Sequence, residues 1–141
     1  GAIAIYLNDT FATSPLRVAV DSPNRAAFLR WAFFSSAILE PTIAERLFKW
    51  NLPSASMAWG SYQHMHDVLA GRLSTSATLV GDTFSLADVL VGATARFGLL
   101  FGAIDKGGVI DDWVARLQER PAMQRAMAIE ARESDRFPPA A

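Results

Sequence analysis

The chain has 141 residues, of which 51% are hydrophobic and 19% charged, and its formal net charge is −1. This size and composition are typical of one globular domain, and the mixed charge provides no basic surface for a nucleic acid. Without cysteine there is no disulfide or thiolate chemistry. No apolar run approaches the roughly 20 residues of a membrane-spanning helix, and no signal-peptide pattern opens the chain, so we expect a cytoplasmic protein without membrane or nucleic-acid partners.

The first 14 residues are predicted to form the end of a helix and a linker. Residues 1–7 are apolar, and no capping residue precedes them. Asn8-Asp9-Thr10 and Thr13-Ser14-Pro15 are typical of helix ends and turns. A frayed native N-terminus is the alternative interpretation.

Ser22-Pro23 predicts the start of a long helix, because serine caps helices well and proline fits the first helical position. Its apolar residues form two stripes, which predicts burial on more than one side. The first stripe contains Ala27, Trp31, Phe34 and Ile38, and the second contains Leu29, Phe33 and Ala37. Pro41 lacks an amide hydrogen, so we expect a kink or break near Leu39-Glu40. Residues 50–53 should end the element.

A second helix is predicted over residues 56–73, with one apolar stripe facing the core. The stripe contains Ala58, Tyr62, Met65, Leu69 and Leu73. The residues from Ser74 to Thr83 are rich in small hydroxyl side chains and glycine, which indicates a loop.

Ser85-Leu86-Ala87-Asp88 has the form of a capping box, in which Ser85 and Asp88 bond each other's backbone amides at a helix start. Phe84 and Val89 occupy the two positions of a hydrophobic staple. Apolar residues continue at spacings of four and three, which predicts the central helix of the bundle. They are Leu86, Leu90, Ala93, Phe97, Leu100 and Ile104.

Two further amphipathic helices follow Gly107-Gly108. The first should end before Arg120-Pro121, and the last should run from Pro121 until Phe137-Pro138-Pro139 stops it. Their apolar positions are Ile110, Trp113 and Leu117 in the first helix and Ala122, Ala126 and Ile129 in the last. No segment alternates with the period of a half-buried strand, so the chain is predicted to be an all-α bundle with no second domain.

The polar residues give no catalytic or metal-binding set. His64 and His66 point about 200° apart around a helix and cannot share a metal, and His64 with Asp67 makes too few ligands for zinc. Ser85 and Asp88 have no histidine near them in sequence, so capping explains them better than a Ser-His-Asp site.

Taken in order, these residues resemble the glutathione transferase superfamily, especially its bacterial members, across nearly the whole chain. The sharpest match is Gly81-Asp82-Thr83-Phe84-Ser85-Leu86-Ala87-Asp88, which fits the family's Gly-x-x-Phe-Ser/Thr-x-Ala-Asp segment at the start of its buried central helix. Further matches are Arg25-Ala26, Trp31-Ala32-Phe33-Phe34, Leu39-Glu40-Pro41 and Arg116 through Arg120-Pro121-Ala122. The resemblance implies a C-terminal helical domain of that family over residues 15–141, preceded in residues 1–14 by the remnant of the last helix of a thioredoxin-like domain and a linker.

The family's glutathione ligands and its catalytic Tyr, Ser or Cys would stand before Gly1. The resemblance therefore implies that this chain by itself binds no cofactor and is not an enzyme, whereas its parent protein uses glutathione as co-substrate.

By matched position, the pocket for a small hydrophobic electrophile would include Trp31, Phe34, Ser35 and Ile38, with Phe97 facing them. The resemblance also implies a homodimer. The alternative function is a non-catalytic assembly module, because the same fold serves both roles.

Overall fold

The computed structural model describes residues 1–133, in which helices follow one another without any strand. The α-helices of these residues are α1 (Ala2–Thr10), α2 (Arg25–Phe34), α3 (Glu40–Phe48), α4 (Tyr62–Leu73), α5 (Leu86–Leu100), α6 (Val109–Gln118) and α7 (Pro121–Glu133). A π-helical turn, Ser35–Leu39, joins α2 to α3, and a 3-10 turn spans Ser54–Ser56. The prediction of an all-α fold is confirmed. The stop expected at Phe137-Pro138-Pro139 lies outside the described residues.

Helix α1 ends at Thr10, where the sequence predicts a helix end, but Asn8 does not belong to a solvated linker. Asn8 is buried, and its side-chain amide bonds both backbone groups of Val18, with distances of 2.9 Å from Val18 N–H to Oδ1 and 2.8 Å from Nδ2 to Val18 C=O. This polar residue therefore fixes α1 to the following segment.

The long helix begins two residues later than Pro23, because Ser22 and Pro23 form a turn and Asn24 is the N-cap. Near Leu39-Glu40, where a kink or break is expected, the chain does not break. The chain instead widens one turn, so that the Glu40 amide bonds the Ser35 carbonyl five residues back. The Thr42 hydroxyl donates a hydrogen bond to the Ile38 carbonyl. It thereby adds a donor next to Pro41, which has no amide hydrogen.

The first apolar stripe of the long helix packs into the core, whereas the second reaches it only at Leu29. Trp31 and Phe34 are buried, but Phe33 on the second stripe is 54% exposed and Ala37 is exposed. The prediction of burial on two sides therefore holds only at Leu29, and Phe33 and Ala37 form an apolar surface.

Helix α4 begins at Tyr62, six residues after the predicted start. Gly60 has a positive φ of 77° and the Ser61 hydroxyl accepts the His64 N–H, so the chain turns and caps the helix there. Ala58 lies outside the helix and is exposed, but Met65, Leu69 and Leu73 are buried as predicted.

Helix α5 is central, because α2, the π-helical turn and α6 all pack against it. The apolar residues at spacings of four and three are only partly buried, since Ile104 lies in the core but Ala93, Phe97 and Leu100 are exposed. The buried face contains Ala87, Asp88, Val91, Gly92, Ala95, Gly98 and Leu99. Small residues let the neighbours approach closely: a Cβ at Gly98 would lie 2.7 Å from Ile104 Cδ1, and one at Gly92 would lie 2.3 Å from Leu117 Cδ1.

Helices α6 and α7 differ in burial. In α6, Ile110 and Trp113 are buried, and Trp113 Nε1 donates to the Ala77 carbonyl at 3.2 Å. Helix α7 packs along α6 but has no buried residue, so the apolar positions Ala126 and Ile129 are exposed rather than in the core. Among the described residues, no helix combines the length and apolar character that a membrane crossing requires.

Candidate functional site

The start of α5 is a buried polar centre. The capping box between Ser85 and Asp88 is present, with the Ser85 amide and hydroxyl donating to Asp88 Oδ2 at 2.9 and 3.1 Å. The Leu79 amide donates to Asp88 Oδ1 at 2.8 Å, so the carboxylate also fastens the preceding loop. Every one of these donors belongs to the scaffold, which makes Asp88 a structural residue rather than a free acid or base.

Three of the five pocket candidates lie together at the junction of α2 and α5. Trp31 and Phe34 are buried and meet edge to face with ring centroids 5.0 Å apart. The Ser35 hydroxyl contacts Thr94 Oγ1 at 2.8 Å and the Leu90 carbonyl at 3.1 Å. Its hydrogen-bonding capacity is thus largely used within the fold.

The other two candidates, Ile38 and Phe97, lie on the π-helical turn after α2 and on α5. Ser35 contacts Leu90 and Thr94, and Ile43 approaches Gly98, so the two segments run in the same direction. Ile38 is half-buried, and Phe97 is 49% exposed and stacks on Phe101 with centroids 6.1 Å apart. Ile38 and Phe97 therefore both present accessible apolar surface.

A cleft that the sequence did not predict lies between α5, α6 and α7. It encloses about 440 Å³ and is lined largely by apolar side chains, among them Leu16, Phe84, Leu117 and Met123. Phe84, a predicted staple residue, thus lines the cleft with its staple partner Val89. None of the five pocket candidates lines it.

A second cavity of about 400 Å³ lies between α3 and the start of α4. The Arg46 guanidinium stands 4.2 Å from the centroid of the Tyr62 ring and 2.9 Å from Asp105 Oδ1. Trp59 Nε1 donates to Glu45 at 2.8 Å. These contacts stabilise the end of α3, and they bring together no nucleophile with a base.

The two histidines, His64 and His66, lie in the first two turns of α4. His66 is tilted against the Tyr62 ring, and its Nδ1 is 3.7 Å from Asp67 Oδ1. Residues 1–133 contain no group of three or more side chains placed to hold a metal ion.

A polar network connects α1 to the start of α2. Arg25 binds Asp9 through two hydrogen bonds of 2.7 and 2.9 Å and also donates to the Val18 carbonyl at 3.1 Å. The hydrogen bond from Arg25, followed by that from Asn8, lowers the pKa of the Asp9 carboxyl below its ordinary value. No sequence pattern indicates this contact between residues 16 positions apart.

Comparison with known proteins finds similarity at the level of structure. No family model and no curated protein sequence matches the chain. A glutathione transferase from Methylococcus capsulatus superposes with a TM-score of 0.71 and 29% identity, over 92% of this chain and 66% of that one. Glutathione transferase URE2P6 from Phanerochaete chrysosporium, solved with oxidized glutathione, has a TM-score of 0.72 and 21% identity, over 93% and 65% of the two chains.

URE2P5 from the same fungus, cocrystallized with 1-(S-glutathionyl)-2,4-dinitrobenzene, has a TM-score of 0.71 and 16% identity, over 98% of this chain and 70% of that one. The present chain thus spans about 65% of the length of URE2P6. Helix order and superposition define an all-α domain with the glutathione transferase fold. The resemblance to the glutathione transferase superfamily found in the sequence is therefore confirmed.

Proposed function

We propose that residues 15–141 act as the C-terminal domain of a glutathione transferase and contribute an electrophile pocket and a dimer interface. The observation that carries the proposal is the superposition on the Methylococcus capsulatus glutathione transferase at 29% identity over 92% of this chain. The reaction is glutathione conjugation or glutathione-dependent reduction of a small hydrophobic electrophile. Residues 1–14 are then the end of the thioredoxin-like domain and its linker.

The exposed face of α5 supports this role. Phe97, Leu100 and Phe101, at the C-terminal end of the central helix, are 49%, 63% and 60% exposed. So much apolar surface on a central helix is typical of a face that another protein surface or a ligand covers. In this proposal a thioredoxin-like domain covers part of that face, and the electrophile lies between Phe97 and Ile38.

In the proposed pocket, the five candidate residues have two roles. Trp31, Phe34 and Ser35 are too buried to contact much of a ligand, so they form a rigid base. Ile38 and Phe97 present accessible apolar surface, which suits an aromatic or alkyl electrophile. The pocket supplies apolar contact, and the thiol is bound and activated by the other domain.

Titration of the chain with glutathione and with 1-(S-glutathionyl)-2,4-dinitrobenzene tests the pocket. We expect the conjugate to bind more tightly than glutathione, because its aromatic ring is the part that this domain contacts, and we expect no turnover of chlorodinitrobenzene. Phe97→Ala should weaken conjugate binding by about tenfold, the order of one lost aromatic contact. Ile129→Ala, which removes a similarly exposed apolar side chain from α7, is the matched control.

Micromolar binding of glutathione itself, or equal effects of the two substitutions, would contradict the assignment. Absence of binding by either compound, together with a stable dimer, would favour the non-catalytic assembly module.

The proposed dimer interface is the second stripe of α2, Leu29, Phe33 and Ala37. Phe33 and Ala37 are exposed, and Leu29 packs partly against the core. A twofold axis beside a helix makes such a stripe self-complementary, and a dimer of ordinary stability buries about 1,600 Å² in total.

Light scattering over a concentration series tests the interface. We expect a dimer mass at tens of micromolar and a monomer for Phe33→Asp, because the substitution places a charge in an apolar contact. Phe48→Asp, at a phenylalanine that is 70% exposed at the end of α3, should remain dimeric. A monomer mass for the unaltered chain at these concentrations would remove the dimer from the proposal.

A further inference from the structure

The cavity between α3 and the start of α4 is rich in hydrogen-bond donors. It encloses about 400 Å³, and its polar lining includes Arg46, Lys49, Asn51 and Tyr62. Lys49 is a left-handed C-cap with a φ of 54°, which ends α3 and turns the chain. Because of this turn, the consecutive residues 49–51 all line the cavity.

Two of the donor atoms in this lining are buried and have no hydrogen-bond partner within residues 1–133. They are Arg46 Nη1 and the Tyr62 hydroxyl oxygen. The two groups lie close together, since the Arg46 guanidinium stands 4.2 Å from the centroid of the Tyr62 ring. A buried donor without an acceptor has lost its hydration without compensation, so such groups are rare in folded proteins. The pair therefore indicates an acceptor that completes it.

The charges of the lining favour an anion as this acceptor. In residues 1–133 Lys49 forms no ion pair, and Arg46 pairs only with Asp105, whose side chain is 74% exposed. Water screens such a pair strongly. Glu45 is the carboxylate of the described lining, and its Oε2 accepts a hydrogen bond from Trp59 Nε1. Two cations therefore face one carboxylate, which leaves the cavity with a net positive charge.

We propose that this cavity binds a small oxyanion, a phosphate or a carboxylate group. The oxygens of the anion accept hydrogen bonds from Tyr62 and Arg46, and Lys49 supplies a further charge-assisted hydrogen bond. Trp50, which stacks on Phe48 with ring centroids 6.0 Å apart, provides an apolar wall beside them. The proposal does not depend on the proposed electrophile pocket, because none of that pocket's five candidates lines this cavity.

Titration of the full chain with inorganic phosphate, and separately with acetate, tests the proposal at constant ionic strength. The indole N–H resonances of the four tryptophans report where the anion binds. We expect saturable shifts for Trp50, which lines the cavity, and for Trp59, which bonds Glu45. The resonances of Trp31 and Trp113 should not move, because both side chains are buried in the core. Saturation by one of the two anions identifies the class, and no saturable shift with either would overturn the proposal.

Tyr62→Phe distinguishes a donor that awaits an anion from one that water already satisfies. Without anion, the melting temperature of this variant should be unchanged or higher, because no hydrogen bond is lost with the hydroxyl. The same substitution should weaken anion binding by about three- to tenfold, the order of one hydrogen bond. A lower melting temperature without anion would show that the hydroxyl already has a partner, and would overturn the proposal.

Charge variants compare the contributions of the cation and the carboxylate. Lys49→Gln should weaken anion binding by about tenfold, the order of a lost charge-assisted hydrogen bond. Glu45→Gln should strengthen binding, because glutamine keeps an acceptor for Trp59 Nε1 but removes the repelling charge. The matched control is Arg125→Gln, which removes a positive charge from an exposed site of α7 outside the cavity. Equal weakening by Lys49→Gln and by the control would show attraction to net charge alone, and would overturn the proposal.

Discussion

Two aspartates connect neighbouring segments to helices of this bundle by accepting hydrogen bonds, but one carboxylate is buried and the other is partly exposed. Asp88 has no exposed surface and accepts hydrogen bonds from Leu79 and Ser85, whereas the Asp9 side chain is 35% exposed and pairs with Arg25. Water can replace the partners of Asp9 but cannot reach those of Asp88. Burial, more than the number of bonds, therefore sets how much each carboxylate stabilises the fold.

Asn8 combines features of the buried Asp88 site and the partly exposed Asp9 site. It is buried and bonds both backbone groups of Val18, yet its Nδ2 also donates to the exposed Asp9 carboxylate at 2.8 Å. Replacing the three residues in turn measures how the contribution of a polar side chain falls as water gains access to it.

The largest effect is expected for Asp88→Ala. The substitution leaves two buried amides and a hydroxyl without their acceptor, and each unsatisfied group costs about 1–3 kcal/mol. The free energy of unfolding should therefore fall by about 3 kcal/mol or more. Asp88→Asn keeps one acceptor oxygen but places an amide NH₂ against the other donors. Its loss of stability should be about half that of Asp88→Ala. Urea denaturation measures both, and a loss below about 1 kcal/mol for alanine would contradict the buried network.

This expectation exceeds what capping alone predicts, which is about 1–2 kcal/mol. The capping box was predictable because all its members lie within four residues of one another. The bond from Leu79 was not, since a loop of small polar residues carries no pattern that specifies its return to Asp88. The Ser85–Asp88 contacts could thus be predicted from the sequence, whereas the Leu79–Asp88 contact required the structure.

The intermediate effect is expected for Asn8→Ala. The Val18 amide loses its acceptor in a buried setting, while the Val18 carbonyl keeps its bond from Arg25, so the loss should be about 2 kcal/mol. Asn24→Ala is the control, because Asn24 is an exposed N-cap without a side-chain capping bond and should change stability by less than about 0.5 kcal/mol. Similar losses for the two variants would mean that burial of Asn8 contributes little.

The presence of helices and of their apolar stripes was easier to predict than which face of each helix packs into the core. The apolar residues of α5 at spacings of four and three include Phe97 and Leu100, which are exposed, whereas the bundle packs against Gly92, Ala95 and Gly98, where the chain can be approached most closely. Counting large side chains selects the wrong face when close helix contact depends on small ones. Ile129, on the predicted apolar face of α7, is likewise exposed.

The candidate sites also differ in how far they could be predicted from the sequence. The five pocket residues came from the family resemblance, because no spacing in the sequence distinguishes a pocket aromatic residue from a core one. The cleft between α5, α6 and α7 was not predicted, since its lining comes from separated segments, whose patterns indicate helices and a staple but not which of their faces meet. Only the folded chain brings Leu16, Phe84 and Met123 to one surface.

The smallest effect, and one that depends on pH, is expected for Asp9→Asn. The pKa of Asp9 is lowered in the folded chain, so the ionised carboxylate stabilises the fold fully above its unfolded pKa of about 3.9. That contribution is lost as the pH falls through the lower folded pKa. Denaturation of the two proteins at a series of pH values should therefore show a small deficit for Asp9→Asn near neutral pH that disappears in acid, where both side chains are uncharged. A deficit that persists at low pH would assign the effect of the substitution to altered packing around Asn8 instead of to the charge on Asp9.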